Sequence, residues 1–119
     1  MISKQQHISL VNDLQLDELS MKAYFDRIGY RGKAAFNLET IKALHGLHPE
    51  AIPFENIDPL IGVNVDLALK EIFKKLVVKG RGGFCFEQNI LFGAVLRTLG
   101  FNVIGLSARV FWEIQEGEI

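Results

Sequence analysis

The chain has 119 residues, 49% of them hydrophobic, which is enough for one globular domain with its own core and excludes a disordered chain. A formal net charge of −1, with both signs mixed along the sequence, argues against a nucleic-acid partner and against an anionic membrane surface. The chain has a single cysteine and no stretch typical of a signal peptide or membrane span, so we expect a cytoplasmic protein.

The first helix is predicted to follow a polar N-terminal extension over residues 1–19. Apolar residues recur at i, i+3, i+4 and i+7 from Met21, and Gly29 is suited to end the helix. A second helix is predicted to begin at the N-cap Asn37 and to stop at Pro49.

Two histidines, His45 and His48, fall in the last turn of this second helix. Their i, i+3 spacing would let both face a metal ion, but Glu50 lies beyond Pro49 and no nearby Cys, Asp or third His completes a ligand set. Histidines are also favoured near a helix C-terminus for their interaction with the helix dipole. We therefore predict no metal site.

Residues 51–59 are predicted to form an irregular loop, because prolines, an asparagine and an aspartate are concentrated there. The apolar side chains of the loop should pack inward, and Glu55 and Asn56 would then need polar partners. Arg81 is the expected partner of Glu55. A surface glutamate in an ordinary loop is the alternative that these residues leave open.

A third helix is predicted to start near Asp66. Its apolar face carries Leu69, Ile72, Phe73 and Leu76, and its opposite, solvated face carries Lys70, Glu71, Lys74 and Lys75. The glycine-rich run at residues 80–83 lets the backbone turn sharply, but it has neither a P-loop ending nor a dinucleotide-binding glycine pattern. A phosphate site is therefore not expected.

Cys85 lies at the start of a fourth predicted helix, which stops at Gly100. Residues 90–96 are apolar on every face, which is typical of a central helix buried on all sides. The unpaired N–H groups at the helix N-terminus, with Arg81 as a nearby cation, favour a thiolate over a thiol. A nucleophile and a small buried hydrophobic residue are both compatible with this cysteine.

After Gly100 the pattern changes to an alternation of apolar and other residues over 103–112, which predicts a strand. A strand needs a neighbour for its backbone groups, and no other segment of the sequence shows a convincing strand pattern. We therefore expect this chain to be the front part of a longer protein, or its strand to pair with another chain.

Two motifs resemble those of the arylamine N-acetyltransferases. Residues 81–89, Arg-Gly-Gly-Phe-Cys-Phe-Glu-Gln-Asn, resemble the active-site signature of that family, and residues 52–58 resemble its second marker. The segments 25–29 and 99–110 also match in order and spacing, so the resemblance covers about residues 20–112.

The resemblance implies an α+β fold. A helical bundle domain over residues 20–100 would carry Cys85 at the N-terminus of its buried central helix, and residues 101–119 would begin a β-barrel domain. In the whole family this core is similar to that of cysteine proteases.

The resemblance also implies an activity: transfer of acetyl from acetyl-CoA, a co-substrate, to an aromatic amine or hydrazine through acetyl-Cys85, in a ping-pong reaction without a metal. Phe54 and Val110 would line the acceptor pocket. The residues expected to support the site structurally are Glu55, Arg81, Gly82 and Gly83.

The sequence departs from the family in one respect. Family members activate the cysteine with a histidine and an aspartate downstream of it, whereas neither residue type occurs after Cys85 in this chain. We therefore expect residues 1–119 alone to be inactive or nearly so.

Two alternatives remain. One is a non-catalytic helical module that forms a homo-oligomer through an exposed strand edge. The other is a transglutaminase-like or papain-like cysteine hydrolase, against which residues 52–56 argue because nothing in such an enzyme calls for them.

Overall fold

A computed structural model describes residues 14–106, and within them the chain is helical. We name the helices α1 (Glu18–Ile28), α2 (Leu38–Ala51), α3 (Ile57–Leu60), α4 (Leu69–Phe73) and α5 (Cys85–Thr98). A π-helical turn, Lys74–Val78, continues α4. Of the helices in this range, none has the length and apolarity needed to cross a membrane.

Side-chain caps define the starts of the first two helices. Asp17 accepts a hydrogen bond from the backbone N–H of Ser20 at 2.7 Å, so α1 begins at Glu18, two residues before the predicted start. Asn37 accepts from the N–H of Thr40 at 2.8 Å, as expected of the predicted N-cap of α2.

The prediction that Pro49 stops the second helix is wrong, because α2 runs through it to Ala51. A proline in the last turn removes one intrahelical hydrogen bond, while Ile52 still donates its N–H to the carbonyl of His48 at 2.8 Å. The flanking residues His48 and Ile52 are both buried, at 6% and 1% exposure. Their packing outweighs the local preference of the proline.

Further expectations on residues 51–78 need correction. Of the apolar side chains of the predicted loop, Ile52 packs inward at 1% exposure, whereas Phe54 and Ile57 are 68% and 53% exposed. Part of the predicted loop, residues 57–60, is the short helix α3. The third helix begins at Leu69 rather than near Asp66, whose carboxylate instead accepts from the N–H of Ala68 at 2.9 Å. Lys75 does not belong to a solvated face, since its side chain is only 13% exposed and is paired with two carboxylates.

Helix α5 lies at the centre of the core, as its apolar sequence predicts. Leu91 and the four residues 93–96 are buried, and α5 packs against α4. The core contains Met21, Tyr24, Ile28, Leu44, Ile52, Leu69, Ile72, Leu76, Val77, Leu91, Ala94 and Val95.

The end of α5 also follows the sequence signal. Gly100 has φ = +101°, its N–H donates to the carbonyl of Arg97, and the N–H of Phe101 donates to that of Leu96, both at 3.0 Å. These two bonds form a Schellman motif, whose left-handed position favours glycine.

The predicted strand is absent from the part of its range that the structure describes, residues 103–106. Residues 101–106 form neither helix nor strand, and Ile104 and Leu106 are exposed at 74% and 85%. Residues 107–112, including Val110, lie outside the described residues. Within residues 14–106 the extended pairing is limited to one isolated parallel bridge between Phe54 and Gly83, so the strand part of the expected α+β fold is absent from this range.

Candidate active site

Cys85 is the first residue of α5 and is exposed to solvent. It lies in a cleft of ≈ 520 Å³, which we call the cysteine cleft, together with Phe54, Phe84 and residues between Asn56 and Val65. Phe84 precedes the helix in an extended conformation and gives its N–H to a carboxylate oxygen of Glu87 at 3.1 Å. This bond is one half of a capping box, and it fixes the point at which the helix starts and Cys85 emerges.

The bridge between Phe54 and Gly83 holds the loop before α3 against the turn that carries Cys85. The N–H of Glu55 donates to the carbonyl of Gly83 at 2.9 Å, and the N–H of Gly83 donates to the carbonyl of Pro53 at 3.2 Å. The bridge therefore places the phenyl ring of Phe54, which is 68% exposed, on the wall of the cysteine cleft.

The two glycines of the motif prevent different clashes, and only that at Gly82 involves the loop. A Cβ on Gly82 would overlap the carbonyl oxygen of Pro53, and one on Gly83 would lie 2.9 Å from the Cβ of Glu87. Any larger residue at 82 would push the two backbone segments apart. The structure thus brings Phe54, Gly82, Gly83 and Cys85 together.

Beneath the cleft, charged side chains form what we call the ionic network: Glu55, Asp58, Lys75, Arg81 and Glu87. The guanidinium of Arg81 is hydrogen-bonded to the carboxylates of Glu55 and, at 2.9 Å, Asp58. The expected partner of Glu55 is therefore present, and the surface alternative is wrong because the Glu55 side chain is only 15% exposed.

The second half of the ionic network runs under the first turn of α5. The Lys75 ammonium lies 3.1 Å from Oδ2 of Asp58 and 3.1 Å from Oε2 of Glu87, which is fully buried. Nζ of Lys75 also donates to Oε1 of Glu87 at 3.2 Å, whereas Oε2 has no well-aligned hydrogen bond. The Glu87 carboxylate is thus held mainly through one oxygen and by charge.

Charge pairing within the network changes the acid–base behaviour of its members. Hydrogen bonds from Arg81 and Lys75 hold the pKa of Asp58 below its ordinary value, and those to Glu55 and Asp58 raise the pKa of Arg81. Burial pushes the pKa of Lys75 down, but the hydrogen bonds and charges of Glu87 and Asp58 outweigh it and the pKa is raised. Asp58, Lys75 and Arg81 therefore stay ionised around neutral pH.

Arg81 was expected to act as a cation beside Cys85. Its charge is instead offset by the carboxylates of Glu55 and Asp58, so it is not a free cation beside the thiol. Arg81 acts on the cysteine turn through the backbone that it anchors.

Sequence reasoning missed a second polar group, which we call the neutral chain: Tyr24, His48 and Gln88. The hydroxyl of Tyr24 lies 2.7 Å from Nδ1 of His48, and Nε2 of His48 lies 2.6 Å from Oε1 of Gln88. Both ring nitrogens of His48 are therefore engaged within the protein, which removes it as a metal ligand. Helical spacing placed Tyr24 in the core but gave no sign of this partner.

Arg27 is another residue that the sequence did not single out. Its guanidinium donates to the carbonyls of Ala51 at 2.6 Å, Leu76 at 2.8 Å and Gly80 at 3.2 Å. The carbonyl of Ala51 is at the end of α2, and that of Leu76 is in the π-helical turn. The carbonyl of Gly80 is at the start of the glycine-rich run. One side chain from α1 thus joins the segments on both sides of the cysteine turn.

A smaller cleft of ≈ 280 Å³ shares Phe54 with the cysteine cleft and lies beside the second turn of α5. Its lining also contains His45, His48, Ile52, Asn89 and Phe92. Within residues 14–106, no group of three or more His, Cys, Asp or Glu side chains is arranged to hold a metal ion.

Comparison with known proteins places these motifs in a family. The N-acetyltransferase family model matches residues 37–118. Arylamine N-acetyltransferase of Mycobacterium tuberculosis is 48% identical over 97 residues, which are 81% of this chain and 34% of that protein. The chain therefore spans about a third of the length of the curated relatives it matches.

Solved structures agree with the sequence comparison. The structure of the M. tuberculosis enzyme matches with a TM-score of 0.78 at 47% identity, over 82% of this chain and 36% of that one. The arylamine N-acetyltransferase of Mycobacterium marinum, solved in complex with CoA, matches with a TM-score of 0.64 at 44% identity, over 67% of this chain and 30% of that one.

Proposed function

Because the chain belongs to the arylamine N-acetyltransferase family, as its N-terminal portion, we propose that it carries the cysteine that accepts acetyl from acetyl-CoA. The observation that carries this proposal is the exposed Cys85 at the first position of α5, in a cleft walled by Phe54. The M. marinum relative, which was solved with CoA, supports the same co-substrate.

The proposed reaction has two steps. The thiolate of Cys85 attacks the acetyl carbonyl, a sulfur–carbon bond to the cysteine forms, and the bond to CoA breaks as CoA leaves as a thiolate that takes up a proton. In the second step the nitrogen of an aromatic amine or hydrazine attacks acetyl-Cys85, loses its proton, and returns the cysteine as thiolate. Acetyl-CoA and the amine thus react in turn, as a ping-pong sequence requires.

Within this scheme Phe54 offers an exposed aromatic face beside the sulfur and contacts a flat acceptor by stacking. Val110 is proposed to complete the acceptor pocket. Gly82 lets the cysteine turn approach the loop, and Gly83 leaves room for the side chain of Glu87. Glu55 and Arg81 hold the loop and the turn together through the ionic network. The scheme needs no metal, and we keep the cytoplasm as the proposed compartment because of the single cysteine.

The scheme requires a base, and residues 86–119 contain neither histidine nor aspartate. Loss of a base that acts as a unit with its nucleophile costs several orders of magnitude in rate, so residues 1–119 alone should turn over poorly. We propose that a histidine and an aspartate beyond residue 119 complete the site.

The first experiment tests Cys85 as the acetyl acceptor. The chain, extended through the downstream histidine and aspartate of a relative, is incubated with acetyl-CoA, and peptide mass spectrometry should find one acetyl group on Cys85 and none in the Cys85→Ser variant. Acetylation that persists in that variant, or that falls on lysines alone, would contradict the proposal.

The second experiment tests the missing base. Acetyl transfer to an aromatic amine is compared between residues 1–119 and a chain extended through the downstream histidine and aspartate of a relative. Comparable turnover by the two would show that the base has been assigned wrongly.

A further inference from the structure

The neutral chain crosses three helices in the core. Tyr24 comes from α1 and is fully buried, His48 comes from α2 and is 6% exposed, and Gln88 comes from the first turn of α5. Its hydrogen bonds, of 2.7 Å and 2.6 Å, link α1 to the helix that begins with Cys85.

The partners of Gln88 determine the direction of its hydrogen bond with His48. Nε2 of Gln88 lies 3.0 Å from the carbonyls of Ile52 and Pro53 and 3.2 Å from that of Gly83. Carbonyl oxygens can only accept, so the amide nitrogen must face them and the amide oxygen must face His48. His48 therefore carries a proton on Nε2, and in the neutral ring Nδ1 accepts from the Tyr24 hydroxyl.

The side-chain amide of Gln88 contacts the acceptor carbonyl of each hydrogen bond in the bridge. The carbonyl of Pro53 accepts from the N–H of Gly83, and the carbonyl of Gly83 accepts from the N–H of Glu55. Gln88 donates to each of these carbonyls as well, three residues after Cys85 in the same helix. The amide thus joins the loop that carries Phe54 to the turn that carries the cysteine.

We propose that His48 is a positioning residue of the cysteine site: as the neutral, Nε2-protonated tautomer it keeps the amide of Gln88 facing the bridge. If the amide turned over, its oxygen would face three carbonyl oxygens, which repel it, and both ends of the bridge would lose a donor. The role in positioning stands on geometry, and only its use in acetyl transfer rests on the proposed function.

The acid–base surroundings of His48 agree with this tautomer. Burial lowers the pKa of His48, the hydrogen bond to Gln88 works in the opposite direction, and the positive charge of Arg27 lowers the pKa further. The other faces of the imidazole are apolar or uncharged, with the ring of Phe92 5.3 Å away and that of Tyr24 5.7 Å away. A neutral imidazole is therefore favoured at neutral pH.

Two variants separate positioning from a merely structural role. His48→Gln places an amide nitrogen near the position of Nε2 and keeps the donor to Gln88, whereas His48→Asn places its amide near Nδ1 and keeps only the partner of Tyr24. Each variant loses one hydrogen bond of the neutral chain. A merely structural role therefore predicts equal effects, and the positioning role predicts that only His48→Asn disturbs the bridge.

The measurement is amide hydrogen exchange of Glu55 and Gly83, the two donors of the bridge, followed by NMR in the 119-residue chain. In His48→Asn their protection should fall by about three- to tenfold, the range expected for one net hydrogen bond, and in His48→Gln it should stay within about twofold of the original chain. Equal losses in both variants, or no loss in either, overturn the proposal.

A second measurement uses the original chain, so it can be made even if a substituted chain fails to fold. The nitrogen-15 chemical shifts of His48 at neutral pH should report a proton on Nε2 and none on Nδ1, and the opposite tautomer or an imidazolium overturns the proposal. Neither measurement uses acetyl-CoA. If both measurements give the expected result but Cys85 of the extended chain never carries acetyl, only the proposed function is refuted.

Discussion

The cysteine turn is held from two sides by polar groups of opposite character. On one side the ionic network joins five charged residues, and on the other the neutral chain joins a phenol, an imidazole and an amide. Both connect the loop of residues 52–58 to the start of α5. They differ in what happens when one member is lost, because a buried charge without its partner is far more costly than a neutral group that loses one hydrogen bond.

We therefore expect the ionic network and the neutral chain to have different roles. Loss of one member of the ionic network is expected to lower stability most where its partner is buried, as Glu87 is beside Lys75. The neutral chain contributes less free energy but orients a single amide whose donors reach both ends of the bridge. Substitutions that separate stability from local geometry can therefore test the comparison.

The largest effect is expected for Lys75→Met. This change removes the cation between Asp58 and the fully buried Glu87, so an unpaired charge stays in the core. The free energy of unfolding, measured with urea, should fall by about 3–5 kcal/mol.

The matched control is Lys74→Met, which removes the same charge from the preceding, exposed residue and should change stability by about 0.5 kcal/mol or less. The double change Lys75→Met with Glu87→Gln should recover part of the loss. Equal effects of the two single lysine changes would mean that the network does not stabilise the fold.

The next effect is expected for Arg27→Gln, which removes the donor to carbonyls at Ala51, Leu76 and Gly80. With at least two charge-assisted hydrogen bonds of about 1.5 kcal/mol each lost, stability should fall by about 3 kcal/mol. Arg31→Gln is the control, because Arg31 and its partner Asp26 are 78% and 60% exposed.

Such a surface pair contributes about 0–1 kcal/mol. If Arg27→Gln costs no more than its control, then α1 does not hold the glycine-rich run, and the ionic network alone must account for its position.

A smaller loss of stability, of about 1–3 kcal/mol, is expected for Gly82→Ala, because the added Cβ overlaps the carbonyl oxygen of Pro53. Hydrogen exchange of the N–H groups of Gly83 and Glu55 should accelerate with it. Gly46→Ala is the control: no atom lies within 4 Å of a Cβ there, and alanine should stabilise α2 by about 0.5–1 kcal/mol. Unchanged exchange in Gly82→Ala would show that the loop and the turn are not in close contact.

The smallest effect is a pH dependence of stability that originates in His48. Burial lowers its pKa in the folded chain from the ordinary value of 6.5, so the unfolded chain takes up the proton first as the pH falls. Stability from this group is complete above about pH 6.5 and is lost as the pH falls toward the lower folded pKa.

The test is urea unfolding between about pH 8 and about pH 5, the range in which histidine titrates, for the original chain and for His48→Gln. The original chain should lose more stability than the variant, which has no group to protonate at this position. Parallel curves would show that burial does not hold His48 neutral.

Sequence patterns predicted most helices of this chain and the location of its cysteine. The predicted cap Asn37 binds an N–H group in the first turn of its own helix, and the apolar run of α5 can be buried only in a core. The pairing of Glu55 with Arg81 was also expected, because a buried carboxylate needs a cation and the motif supplies one.

The errors share a physical cause. Pro49 stays helical because its neighbours His48 and Ile52 pack into the core, and Lys75 is not on a solvated face because a π-helical turn places it between two carboxylates. In each case contacts with residues distant in the chain outweigh a local preference.

The sequence by itself determined the helical periods, the glycine-rich turn and the position of Cys85 at a helix start, since these depend on neighbours within one or two turns. Only the tertiary structure decided the partners of Arg27, Lys75, His48 and Gln88. Apart from the bond between Gln88 and Gly83, their hydrogen bonds join residues 12 to 54 positions apart, and the local sequence does not indicate which distant group a polar side chain will bind.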